Sequence, residues 1–312
     1  MIFPGRVVRV LVAFALVAVA GVPVLADWTA TGTVYYRDRA FDETGFTGDQ
    51  PILPVRFADV EVVDDADGAV LATGATDGGG GFSITVVDDQ IRDVYVRILT
   101  RSDGTPDLFV RVTPTLDVPY AVASPVEFGH APDQDVHLGF VIAEVDQGGQ
   151  AFNLFDMGVL GADYLAHLQG ARPGAGDSLR ILWAIDRGTF GSSTSAQTIS
   201  MRDTGGYDDS VVLHEYAHFA VLNFSDSDNL GGAHSFTECD QNPALAWDEG
   251  HATFFQSALK QYFGLPDPHL YVSTTGGGGP SLRFFADLET ESQFECDGST
   301  SEVSVFTALW DM

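Results

Sequence analysis

His214, Glu215 and His218 fall within the run 208–224, DDSVVLHEYAHFAVLNF. On a helix, residues four apart stand one turn above each other, so the two imidazoles can face one point, as two ligands of a single zinc ion must. Glu215 is turned away from that pair by about a quarter of a turn. It is poorly placed to join them but can reach a water beside the ion, which is the place of a general base. Chance produces this five-residue pattern in on the order of one such chain in a hundred.

The segment that must carry these residues reads as a buried helix. Val211, Val212, Leu213, Phe219, Ala220 and Val221 make its flanks apolar, and Asp208, Asp209 and Ser210 are N-cap candidates. Buried polar groups need partners, and a metal satisfies three at once. A third protein ligand is required, with the fourth position left for water. The best source is a second helix, 242–263, which Asn242 can cap, Pro243 can open and Gly264 with Pro266 can stop. There Leu245, Glu249, Ala252 and Gln256 share a face, so one carboxylate stands in an apolar stripe beside Gly250 and Ala252, which let a neighbouring helix come close. Asp248, Asp240, His251 and His234 are rival ligands at this stage.

HEYAH followed by a helix bearing WDEGHA resembles the Glu-zincin metallopeptidases of the fungalysin and thermolysin type. The resemblance implies a zincin-like catalytic domain, zinc held by His214, His218 and Glu249, Glu215 as catalytic base, and a peptide or protein substrate. The interval from His218 to Glu249 is 249 − 218 = 31 residues, longer than in the thermolysin-like pattern, so a polar loop must separate the two helices. The resemblance also implies that residues 199–202 form the cleft edge that pairs with substrate; an interior strand is the competing reading. It further implies an oxyanion donor beyond the third ligand, for which Tyr262, His269 and Tyr271 are available. Related enzymes continue past the helix that begins near residue 301, so the catalytic domain is expected to lack its C-terminal part at Met312.

Upstream, residues 1–26 carry Arg6 and Arg9, an apolar run and small residues at Val24 and Ala26, the pattern of a secretory signal peptide cut before Asp27. No later stretch is apolar enough to cross a membrane, so the mature chain is expected outside the cytoplasm, secreted or periplasmic, without stable membrane insertion. Cys239 and Cys296 fit that compartment as a disulfide, which would close a loop worth about 4 kcal/mol in the chain-entropy picture. A net charge of −29 argues against nucleic acid as a partner. The Asp-rich runs 225–229 and 64–68 suggest calcium as a second cation, although solvated turns have the same composition.

Between residues 27 and 124 short alternating runs read as strands: WTATGTVYY, VRFADVEVVD, AVLATGAT, GFSITVV, DVYVRIL and LFVRV. The phase of the second shifts near Ala58, which suggests a bulge or an edge. Their order and glycine-rich turns resemble the carboxypeptidase regulatory-like, transthyretin-like β-sandwich. His130 and His137 read as surface or edge residues, VHLGFVIA as a strand and the run from Gln150 as a helix, followed by the strands LRILWAID and TISMRDT. The chain is therefore expected to be α+β: signal peptide 1–26, β-sandwich 27–124 and catalytic domain 125–312. Two further classes remain open: a secreted binding or adhesion protein with an inactive zincin domain, and a zinc hydrolase acting on non-peptide amides or esters.

Overall fold

The computed structural model describes residues 27–184, 193–227, 231–274, 282–290, 296 and 300–312. The expected signal peptide lies outside the described residues, as do Asp228 and Asn229 of one calcium-suggesting run. The chain is α+β. Strand Asp27–Arg37 is the axis of the first sheet, with alternate residues buried along its length. One edge pairs in parallel with Val136–Ala143; the other pairs antiparallel with Gly81–Val87 and then Ile52–Pro54. A second sheet centres on Arg92–Leu99, flanked by Asp59–Asp64 and Val70–Ala75 on one side and by Ala121–Ala123 and Glu127–His130 on the other.

Val34, Val60, Val62, Val96 and Ile98, each fully buried, bring both sheets into one hydrophobic cluster. Burying a side chain of that size contributes about 1.5–3 kcal/mol. The phase shift near Ala58 is the entry to a strand: Phe57 has φ 59° and the strand starts at Asp59. In the run 64–68 the carboxylates cap their own turn, Asp64 accepting from Ala66 N and Asp67 from Ala69 N, both at 2.9 Å, while Asp64 also pairs with Arg92.

The boundary expected at 124/125 is crossed in both directions. Glu127–His130 and Val136–Ala143 belong to the first two sheets, and Val110–Thr113 belongs to a third. The reason is backbone pairing: the long first strand keeps one edge for Val136–Ala143, and an unpaired central edge would leave its polar groups unsatisfied. His130 is correspondingly buried, with its ring 4.2 Å from Trp28, and is not a surface residue.

The third sheet runs Ser193–Ser195, Thr198–Ser200, Leu179–Leu182, Val110–Thr113, with only the first strand antiparallel to its neighbour. Thr198–Ser200 is therefore interior, and among the described residues Ser193–Ser195 stands at the edge beside it. This corrects the expectation that residues 199–202 form the edge.

Among the described residues there are four α-helices: α1, Gly149–Gln169; α2, Asp209–Phe224; α3, Pro243–Phe263; and α4, Glu302–Trp310. α1 meets the third sheet through Gly158, whose missing Cβ would stand 2.6 Å from Val110 Cγ1. It meets α2 through Gly161, where a Cβ would stand 2.5 Å from the Tyr216 ring. Gly250 on α3 plays the same part toward α4, with Val305 Cβ at 2.6 Å.

The parts are also tied by buried charge. Asp156 on α1 accepts from Tyr36 Oη at 3.0 Å and from Arg56 Nε at 2.7 Å, which joins the first sheet to the helices. Lys260, the chain's single lysine, is 2% exposed and donates to Ser210 Oγ of α2 at 3.0 Å and to Leu270 O at 2.8 Å. Burial pulls its pKa down to about 8, Asp209 and Asp267 opposing.

Two outcomes follow from this packing. Gly161→Ala forces a methyl into the Tyr216 ring and should lower stability by about 1–3 kcal/mol, read as a lower urea midpoint at unchanged slope. An amine-reactive ester applied to the native protein should leave Lys260 unmodified in the peptide map, and should modify it only after unfolding.

Candidate metal centre

α2 is nearly continuous in its burial from Ser210 to Ala217, so its polar side chains have to find partners inside the protein. Asp208 stands at its N-cap position but does not cap it; its carboxylate turns aside to Arg202 and to Thr274, accepting from Thr274 N at 3.0 Å. α3 begins as its sequence dictates: Asn242 Oδ1 accepts from Ala244 N at 2.9 Å, Pro243 opens the helix, and Gly264 closes it with φ 67°.

The two helices pack so that His214 Nε2, His218 Nε2 and Glu249 Oε2 form a triangle with all three sides 3.1 Å. Nitrogen and oxygen ligands at about 2.0–2.1 Å from a tetrahedral zinc ion stand about 3.3 Å apart, so this donor set fits zinc in chemistry and spacing. His214 and Glu249 are buried and His218 is nearly so. The outer nitrogens are held as well. His218 Nδ1 lies 3.1 Å from Asp248 Oδ2, and His214 Nδ1 lies 3.2 Å from the Thr253 hydroxyl. With Nδ1 occupied, both rings present Nε2 to the same point. α3 thus supplies one corner of the triangle and both orienting partners, from Glu249, Asp248 and Thr253.

Burial alone would lower the His218 pKa, but hydrogen bonds to Asp248 and Glu249 outweigh it and lift it to about 10. Burial likewise pushes the Glu249 carboxyl up, and the bonds from His214 and His218 overcome this to hold it well below the usual carboxylate range.

Glu215 faces the same cleft of about 360 Å³, which Ser193, Thr194, Leu222 and His234 also line. Thr194 Oγ1 lies 2.6 Å from Glu215 Oε2 and 3.0 Å from Glu215 O, so the sheet edge orients the carboxylate. The other sequence candidates separate clearly. Asp248 orients His218 and does not join the triangle; Asp240 is exposed, and neither it nor His251 lines the cleft.

None of the donor candidates beyond Glu249 is among the described residues that line the cleft. Tyr271 is buried with its ring edge-on to His214, Tyr262 stacks on His167 at 4.2 Å along an outer groove, and His269 precedes strand Leu270–Thr274. His234, the remaining rival ligand, comes from the polar segment between α2 and α3, lines the cleft and lies 3.4 Å from Glu249 Oε2. The expected disulfide, Cys239–Cys296, is present and ties that segment to the chain ahead of α4.

No protein-family model matches the chain. Over 119 residues it is 29% identical to an uncharacterized protein of Archaeoglobus fulgidus, a match that covers 36% of this chain and 30% of the archaeal protein's length. Among solved structures it has likenesses to a 9R-lipoxygenase from Cyanothece PCC8801, with TM-score 0.23 and 16% identity over 52% of this chain and 27% of that one. The major plantain pollen allergen Pla l 1 gives 0.22 and 16% over 38% and 92%. At such scores these likenesses carry no argument.

Asp248→Asn keeps all three ligands and loses the carboxylate behind His218. Zinc affinity should fall by about 10–100-fold, measured by competition with a chromophoric chelator. An unchanged affinity would show that the His218 ring does not need that partner.

Proposed function

We propose that this chain is an exported zinc-dependent hydrolase of peptide bonds, of the Glu-zincin kind, with a β-sandwich module ahead of its catalytic part. One observation carries the reading: His214, His218 and Glu249 converge at the spacing of a zinc triad while Glu215 faces the same cleft without joining them. When bound, zinc supplies a Lewis acid that polarises the scissile carbonyl and brings the pKa of a water toward about 7.

The chain's own groups do the rest. Glu215, oriented by Thr194, takes the proton of the attacking water and passes it to the leaving amine, so the C–N bond breaks to a carboxylate and an amine. The edge strand Ser193–Ser195 favours an extended peptide as substrate. Ser193 and Thr194 line the cleft, and among the described residues that strand pairs on one side only, so a peptide can extend the sheet there. Two strand-rich layers sharing one hydrophobic cluster support the sandwich reading of the first part, with Val136–Ala143 included in it. The disulfide and the apolar N-terminal run support export.

Glu215→Gln should retain about one zinc per chain and lose casein hydrolysis by at least ~100-fold. Full activity in that variant would remove Glu215 as the base. Glu249→Ala should lose the zinc itself after exhaustive dialysis, read by elemental analysis.

A further inference from the structure

The two faces of the third sheet are unlike. Val110, Leu179 and Ile181 are buried and turn toward Gly158 of α1. Their neighbours along each strand point to the opposite face. There Arg101, Arg111, Arg180 and Thr198 stand in register, each residue paired with the next across adjacent backbone. Three guanidinium groups side by side are unfavourable unless anions meet them, and this chain has only 15 basic residues to set against 44 acidic ones.

A cavity of about 280 Å³ lies at this row, lined by Arg111, Ser178, Leu179, Arg180, Gln197 and Thr198. The lining holds two guanidinium groups, two hydroxyls, a carboxamide and, among the described residues, no carboxylate, in a chain of net charge −29. Gln197 Nε2 donates to Gly176 O, which holds one wall to the turn ahead of Leu179. Arg101 is not part of the lining and is held at 2.5 Å by buried Asp59. The carboxylates that meet the other two arginines also stand outside the lining: Asp117 Oδ1 lies 2.6 Å from Arg180 Nη2 and Asp103 Oδ1 lies 3.2 Å from Arg111 Nη2, and those aspartate side chains are 66% and 47% exposed. Ion pairs so open to water contribute little and exchange readily for another anion.

We propose that this cavity binds a doubly charged tetrahedral oxyanion, a phosphate or sulfate group, through Arg111 and Arg180, with the Ser178 and Thr198 hydroxyls as neutral donors. Adjacent strands lie about 4.8 Å apart, so the forks of Arg111 and Arg180 can close on one group from two sides. A carboxylate ligand would only replace what Asp103 and Asp117 already supply, whereas a tetrahedral dianion has oxygens enough for both forks and both hydroxyls. The cavity has room for a small molecule bearing the group as well as for the group itself. None of its lining residues lines the metal cleft, so the assignment stands apart from the metal centre.

The test is calorimetric titration of the full chain, in buffer free of phosphate and sulfate, with inorganic phosphate, inorganic sulfate, glucose 6-phosphate and glucose 6-sulfate, against acetate and chloride at matched ionic strength. At least one of the four tetrahedral anions should bind about 10-fold or more tightly than acetate and chloride. Arg111→Gln and Arg180→Gln should each weaken it by about 10–100-fold, and Ser178→Ala by about 3–10-fold, with urea midpoints showing each variant folded. Asp117→Asn removes a competing carboxylate and should tighten binding about two- to fivefold. Glu249→Ala, which breaks the metal triangle, should bind the anion as wild type does. Tighter binding of a glucose ester assigns the group to a carrier molecule, and equal or tighter binding of the inorganic ion assigns the free ion.

Binding that survives both arginine substitutions, that acetate or chloride matches, or that Glu249→Ala abolishes overturns the assignment. So does weaker binding in Asp117→Asn, which would leave Arg180 as that residue's partner alone, and so does a wild type that takes none of the four anions up to about 10 mM. Should an arginine variant fail to fold, Ser178→Ala and Asp117→Asn decide, since their expected effects have opposite signs.

Discussion

Three lone-pair-bearing atoms, two imidazole nitrogens and a carboxylate oxygen, are held 3.1 Å apart in a nearly dry interior. Such atoms repel unless a positive charge sits among them, whether proton or metal. The surrounding packing exists to hold that arrangement. α1 contributes two glycines that let it lie against both the third sheet and Tyr216, the residue next to Glu215. Lys260 and Asp208 fix the start of α2 from either side through Ser210, Arg202 and Thr274. Each is a buried charge with polar partners, so neither element can slide without leaving a charge uncompensated.

α3 has the largest share of the site. It provides Glu249 to the triangle and, one residue before and one turn after, Asp248 and Thr253 to the outer nitrogens. A single rigid helix therefore sets both what binds and how the rings of the neighbouring helix are turned. Gly250 brings α4 within reach of the same helix, and with it Glu302. The order of the chain is thereby folded back on itself: residues 68 apart, His234 and Glu302, meet beside the triangle.

What could be read from the sequence was what local spacing encodes. The His214 and His218 repeat, the Asn242 cap, Pro243 and the Gly264 stop each act within one or two helical turns, and the structure keeps them. The long alternating strands were legible for the same reason. Asp248 was visible only as another carboxylate, because its task depends on where α2 lies. His234 sits in a segment with no periodicity, and its neighbour Glu302 is far along the chain. The pairing across residue 124 was not legible because a strand's partner is not written in its own pattern: Ala30 pairs with Val136 and Tyr36 with Ala143. The edge of the third sheet was missed likewise, since alternation gives a strand's face but not its place in the order.

That parallel pairing has a consequence for how the protein is made. Strand Asp27–Arg37 cannot complete its sheet until residues 136–143 have emerged, and the chain between them must be brought round first. Contacts this distant slow folding, and in the interval the long strand exposes a row of unpaired amides and carbonyls flanked by Trp28, Val34 and Tyr36. A fragment cut at residue 124 would keep that edge permanently and would be prone to self-association. As the chain is made, the same span must remain unfolded or shielded until its closing strand arrives.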